Sequence, residues 1–228
     1  KCKESVWKYQ KEWEDMSERV AFWADMDDPY VTYHNEYIES IWWSLKKIWE
    51  KDLLYKGFKV VPYCPRCGTA LSSHEVAQGY KEVTEDSVIT RFRVKGKENT
   101  YILAWTTTPW TLPSNVALCV NARETYVELS LDGDTYYLAK ELLHTVFGEK
   151  AHEGKVVRTM PGGDLCGMEY EQLYRFDGVQ YPREKGSYVI SDDYVTLTDG
   201  SGIVHIAPAF GEDDNRVGRQ YNLPFVQL

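Results

Sequence analysis

The chain has 228 residues, 43% of them hydrophobic and 27% charged. That is a globular composition, long enough to bury a sizeable core, and it excludes a disordered chain. With 26 Lys and Arg against 35 Asp and Glu, the formal net charge is -9, which excludes a broad basic coat for nucleic acid and leaves room for a local basic groove.

No stretch reads as membrane-spanning. The longest uncharged run, 99–122, is interrupted by Pro109, Pro113, Ser114, Asn115 and a string of threonines, whereas a spanning helix needs about 20 predominantly apolar residues. The densely charged start is no signal peptide, and the missing initiator Met marks the chain as an expected excised piece. Five cysteines is an odd number, and only Cys64 and Cys67 lie close together. That usage fits a reducing cytoplasm better than a disulfide framework.

The first 60 or so residues hold six of the eight tryptophans. Trp7, Trp13, Met16 and Val20 suggest an irregular helix. Ile38, Ile41, Trp42, Leu45, Ile48 and Trp49 recur at helical spacing before Gly57. The plain reading of these aromatics is core; the sharper one is a face that packs on more protein. From about Thr84 the pattern turns to strands. Val88–Val94 and Tyr101–Trp105 around the turn residues 96–99 read as a hairpin, as do Tyr126–Leu131 and Thr135–Leu138 around Asp132-Gly133-Asp134. Ala139–Phe147 reads as a helix stopped by Gly148. Val189-Ile190, Tyr194–Leu197 and Ile203–Ile206 read as strands, with a turn at 199–202, and Glu212–Tyr221 as a helix. The expected organisation is a helical arm and CxxC knuckle over 1–82, then a β-rich domain over 83–228 with a few helices.

Three segments could carry chemistry. In 105–115, WTTTPWTLPSN, adjacent threonines put hydroxyls on both sides of a strand end, and Pro109 holds Thr108 extended. Hydroxyls both donate and accept, so they can hold a water, a ribose or an ester without adding charge; threonine also favours strands in general. In 200–214, GSGIVHIAPAFGEDD, His205 sits in an apolar strand, where a core histidine is commonplace. Glu212, Asp213 and Asp214 crowd a helix start, either as favourable charges there or as a carboxylate that binds a ligand ammonium. In 62–68, Cys64 and Cys67 in a Gly/Pro-rich knuckle are half of a zinc site. A redox pair is the rival, without the usual βα context. The second pair of ligands is absent, so the other half is expected outside this chain.

At these residues a resemblance becomes specific. Segments 105–115 and 200–214 resemble the paired editing-site motifs of the class I aminoacyl-tRNA synthetases. Thr108-Pro109-Trp110 stands where the valyl and leucyl branches usually carry Arg-Pro, which favours the isoleucyl branch. Segments 25–43 and 61–80 resemble the catalytic-side lead-in to that inserted domain, so the likeness spans essentially the whole chain. It implies an α+β fold: a β-barrel-like editing domain with peripheral helices and an N-terminal helical arm. The family's HIGH and KMSKS signatures are absent from these residues, so amino-acid activation, with its ATP and Mg, is assigned to the remainder of the enzyme.

The implied reaction is hydrolysis of the ester joining misplaced valine to the 3′ end of tRNA(Ile). Valyl-adenylate is a further possible substrate. One methylene in a hydrophobic pocket is worth only ~1–3 kcal/mol, a value known for the isoleucyl enzymes themselves, so a second sieve is needed. By the resemblance, Asp214 pairs with the substrate ammonium and His205 lines the amino-acid pocket. Thr106, Thr107 and Thr108 hold the terminal adenosine, the ester and the water; Trp110 and Asn115 match pocket positions. No strong general base is evident, so a positioned water, helped by the neighbouring ribose hydroxyl, is expected in place of a covalent intermediate. Editing itself calls for no cofactor. The expected partners are tRNA(Ile), valine and the rest of the synthetase, with no membrane and a monomeric piece. The rivals are a zinc-knuckle or Trp-rich binding module without catalysis, and a free-standing deacylase.

Overall fold

The computed structural model describes residues 1–174 and 186–227. The chain forms two compact units, Lys1–Phe58 and Lys59–Leu228. In the first, α1 (Cys2–Val6), α2 (Gln10–Arg19) and α3 (Asn35–Trp49) carry no buried residue. The helical spacing of the tryptophans does make helices, but Trp42 and Trp49 remain 67% and 64% exposed. Trp7 donates its indole N–H to the Tyr33 hydroxyl.

The second unit opens with the knuckle. A minimal antiparallel pair, β1 (Tyr63–Cys64) and β2 (Thr69–Ala70), is followed by α4 (Ser73–Gln78). Ser72 and Glu75 cap α4 reciprocally: the Ser72 hydroxyl accepts from the Glu75 amide and Glu75 accepts from the Ser72 amide.

The rest is a curled mixed sheet. Antiparallel β3 (Val88–Arg93) and β4 (Thr100–Thr106) form the first expected hairpin. Antiparallel β6 (Thr125–Leu131) and β7 (Asp134–Ala139) form the second, closed by Asp132 (φ 53°) and Gly133 (φ 87°) in a mirror-image turn. β5 (Ala117–Val120), β8 (Lys155–Pro161), β9 (Tyr188–Ser191) and β10 (Ile203–Ile206) complete the order β8-β6-β7-β4-β10-β5-β9, with β3 on the other side of β4. Isolated bridges Val94–Tyr170 and Glu169–Tyr188 stitch the end of β3 to β9, curling the sheet into a barrel-like wall. Phe92, Ile102, Leu118, Val120, Val189 and Ile203 fill its inside. Tyr126, fully buried there, donates to the Gly202 carbonyl at 2.7 Å and accepts from the Asn121 amide at 2.9 Å.

Two details position the site. β4 splits its pairing: Thr100–Ile102 run parallel to β7, and Trp105 pairs in parallel with Val204 of β10. Ser201, fully buried, donates to the Leu103 carbonyl at 2.6 Å and fixes the turn before β10 against β4. α6 (Glu212–Gln220) then seats Val217 among Cys119, Ile190 and Ile206 on the outer face.

Two expectations are corrected. Tyr194–Leu197 is not a strand; the segment runs through a turn, irregular backbone and a bend, with the Tyr194 amide tied to Asp192. The helix expected over Ala139–Phe147 is a 3₁₀ turn, Lys140–Leu142, followed by a short α5 (Leu143–Phe147), ended by Gly148 at φ 56°. The buried strand β5 and the edge strand β8 carried no turn or alternation signal that stood out.

Candidate functional site

The parallel Trp105–Val204 contact brings the two chemistry-bearing segments together at one cleft of about 360 Å³. One wall is the end of β4 and the 3₁₀ turn Pro109–Ser114, contributing Trp105, Thr106, Thr107, Thr108, Trp110 and Thr111. The other is β10 and the entry to α6, contributing Val204, His205, Phe210, Gly211 and Asp214, with Tyr194 beside them. Gly200, at φ 75°, lets the preceding turn press on the Trp105 ring; a Cβ there would lie 2.4 Å from it.

The threonine wall is wired through its own backbone. Thr106 accepts from the Thr108 amide at 3.0 Å, the turn that pre-proline restriction favours. Thr106 is buried, while Thr107 and Thr108 are exposed. The Thr111 hydroxyl donates to the Thr108 carbonyl at 2.8 Å and lies 3.0 Å from His205 Nε2. A hydroxyl has one proton, so Thr111 accepts from His205, which fixes the Nε2–H tautomer. His205 Nδ1 is then a bare acceptor, buried and without a partner among the described residues. Burial pushes the His205 pKa down to about 4, so the ring is neutral at physiological pH.

Asp214 is the one carboxylate among the described residues lining the cleft. Its Oδ2 accepts from the Ala207 amide at 2.9 Å. Burial pushes its pKa up to about 6 and Asp213 adds to this, while the Ala207 amide and the nearby Tyr194 hydroxyl hold it down. Asp213 points elsewhere, 3.4 Å from Arg216, which also grips both oxygens of Asp192 at 2.8 and 2.9 Å.

Of the residues singled out in the sequence, Thr106, Thr107, Thr108, Trp110, His205 and Asp214 line this cleft. Asn115 does not. Its amide is buried, donating to the Ala117 carbonyl at 2.8 Å and accepting from Tyr170 at 2.6 Å, so both ends are used inside the core. Trp105 and Thr111 lay within the threonine-rich segment, and Phe210 and Gly211 within the second, without being singled out. Tyr194 carried no local signal.

At the knuckle, the Cys67 amide points at Cys64 Sγ from 3.4 Å. This amide, with Cys67's thiol and the Arg66 amide, holds the Cys64 thiol below its ordinary value. Among the described residues no third His, Cys, Asp or Glu gathers there. The residues present fit two corners of a tetrahedral thiolate site and supply no more.

The profile of the family described as "tRNA synthetases class I (I, L, M and V)" matches residues 1–119. The isoleucine–tRNA ligase of Clostridium novyi is 62% identical over 229 aligned positions, covering 100% of this chain and 21% of the relative. That of Clostridium acetobutylicum is 60% identical, and that of Picrophilus torridus 48% identical, over 100% and 99% of this chain and again 21% of each relative. The chain belongs to the class I tRNA synthetases. It spans about a fifth of the length of the curated relatives it matches. Among solved structures, the Plasmodium knowlesi cytosolic leucyl-tRNA synthetase editing domain aligns with a TM-score of 0.46 at 13% identity, over 63% of this chain and 66% of that one. Among the described residues no helix is long and apolar enough to cross a membrane.

Proposed function

We propose that this chain is the editing piece of an isoleucine–tRNA ligase and that its cleft hydrolyses valine from mischarged tRNA(Ile). The observation that supports this reading is the convergence of the threonine turn, His205 and Asp214 on one small cleft, in a chain whose relatives are isoleucine–tRNA ligases. The substrate's ammonium sits against Asp214, mostly ionised at neutral pH because its pKa is about 6. The hydroxyls of Thr106, Thr107 and Thr108 orient the terminal ribose, the ester and a water. The water oxygen bonds to the ester carbonyl carbon, the bond to the ribose oxygen breaks, and that oxygen leaves with a proton, releasing free valine and tRNA.

His205 is a poor base here. Its pKa lies near 4 and its Nε2–H is committed to Thr111. Catalysis therefore rests on positioning, with proton transfer through the water and the neighbouring ribose hydroxyl. His205 and Thr111 form the floor that meets the amino-acid side chain, where one further methylene is excluded by contact. Activation with ATP and Mg belongs to the rest of the longer protein, which the chain accompanies in the cytoplasm. Cys64 and Cys67 would supply two thiolates to a structural zinc whose other ligands would lie elsewhere in that protein.

The test is release of valine from valyl-tRNA(Ile) by this chain. An acidic chain makes few phosphate contacts, so high protein concentration is needed. Loss of ester that rises with chain concentration above the spontaneous rate supports the reading. Loss equal to buffer alone at every concentration overturns it.

A further inference from the structure

We propose that Tyr194 is a further substrate-positioning residue of the cleft, its hydroxyl completing with the Asp214 carboxylate the cradle for the substrate's α-ammonium. This rests on the function proposed above and names a group of that site which the sequence motifs do not contain.

The first argument is hydrogen-bond capacity. An ammonium has three N–H donors. Asp214 already spends Oδ2 on the Ala207 amide, so it offers the ammonium one unshared oxygen. Tyr194 lines the same cleft, and its hydroxyl is buried with no hydrogen-bond partner among the described residues. Buried hydroxyls are normally satisfied, and one that is not has capacity for a ligand. Tyr194 and Asp214 line the same cleft, and Asp214 is the leading charge acting on the Tyr194 phenol. Burial keeps the phenol far above its ordinary range, so Tyr194 stays a neutral donor and acceptor at any working pH.

The second argument is rigidity. The Tyr194 amide donates to Asp192 Oδ1 at 3.1 Å. Asp192 is gripped by Arg216, whose guanidinium carbon lies 5.9 Å from the centre of the Tyr194 ring. Arg216 stands on α6, two residues after Asp214. The strap therefore fixes the phenol relative to the helix that carries the carboxylate. The other unpartnered acceptor, His205 Nδ1, belongs to the ring that Thr111 holds at the threonine wall.

The test uses Tyr194→Phe, which keeps the ring and removes only the hydroxyl, with circular dichroism to check the fold. Two esters are compared: valyl-tRNA(Ile), and its α-hydroxyisovaleryl counterpart, in which a hydroxyl replaces the amine. A hydrogen bond to a charged group corresponds to ~10-fold or more. The expected result is a loss of that size in kcat/KM on the valyl ester, mainly through KM, with less than about 3-fold change on the hydroxy ester. Equal losses on both esters, or none on either, overturn the proposal. If the unaltered chain hydrolyses neither ester, the function reading fails instead. The cradle is then read by calorimetry with valine amide-linked to a 3′-amino adenosine. About 10-fold weaker binding by the variant supports it, and equal binding, or none by the unaltered chain, overturns it.

Discussion

The Asp214 carboxylate accepts a hydrogen bond from the Ala207 amide at 2.9 Å, tying the first turn of α6 back to the end of β10. This bond sets the carboxylate at the cleft, while Asp213, its neighbour, faces Arg216. Asp214→Ala is expected to lower kcat/KM for valyl-tRNA(Ile) by ~10–150-fold, the range for losing a hydrogen bond to a charged group. Asp213→Ala removes an exposed ion pair and a minor charge acting on Asp214, and is expected to change kcat/KM by less than about 3-fold, in line with the small worth of such pairs. Deacylation kinetics of the two variants decide this: a fall at 213 as large as at 214, or an unaffected 214 variant, contradicts the assignment.

The same burial predicts a pH profile. In the proposed reaction the ionised carboxylate holds the ammonium, so kcat/KM is expected to fall as pH drops through about 6, the Asp214 value. His205 is neutral above about 4 and adds no limb near its ordinary 6.5. Rates corrected for spontaneous ester loss, measured from pH 5 to 8, should show one acidic limb that Asp214→Asn abolishes along with most activity.

Stability should move the opposite way. The Asp214 carboxyl rises from 3.8 to about 6 on folding. Below the lower value it adds no charge penalty; the penalty grows between the two and is complete above the higher one. Asp214→Asn keeps an oxygen for the Ala207 amide and removes the buried charge. It should stabilise the chain by roughly 1–3 kcal/mol at pH 7, and by far less at pH 4. Urea midpoints at the two pH values test this; a variant less stable than the parent at pH 7 contradicts it.

Gly211 has an unstrained extended backbone, φ -119°, so its role lies in space and not in conformation. A Cβ there would stand 2.8 Å from Asp214 Cγ and 3.0 Å from Oδ2. Gly211→Ala should push the carboxylate off the Ala207 amide and lower kcat/KM by ~10–100-fold, the scale expected of a misplaced binding group. The readout is kinetics beside a melting curve; full activity would mean that the carboxylate tolerates displacement.

The parts legible in the sequence were those with local signals. Alternation and a mirror-image turn gave both hairpins, and acids followed by a short periodic run gave α6. The motifs at 105–115 and 200–214 hold every described residue lining the cleft except Tyr194, six of them singled out from the sequence. What the sequence left out was long-range. The parallel Trp105–Val204 pairing joins residues 99 positions apart in the numbering, and no local pattern announces it. The Thr111–His205 bond follows only from that pairing. Asn115 belonged to a recognised segment, yet its amide is consumed by Tyr170 and Ala117, a partnership set by packing. Tyr194 reads as a strand residue and sits in a turn, because Asp192 caps its amide and Arg216 holds its ring. Five of the six tryptophans of the first unit are exposed, Trp7 alone being half-buried, since amphipathic spacing specifies a face and not what covers it.

The proposed size sieve at the His205 and Thr111 floor is read from the ratio of kcat/KM for valyl-tRNA(Ile) and isoleucyl-tRNA(Ile) with this chain. Such a sieve gives faster loss of the valyl ester by at least ~10-fold, the lower bound for one methylene. Equal rates on the two esters at saturating chain concentration would contradict it.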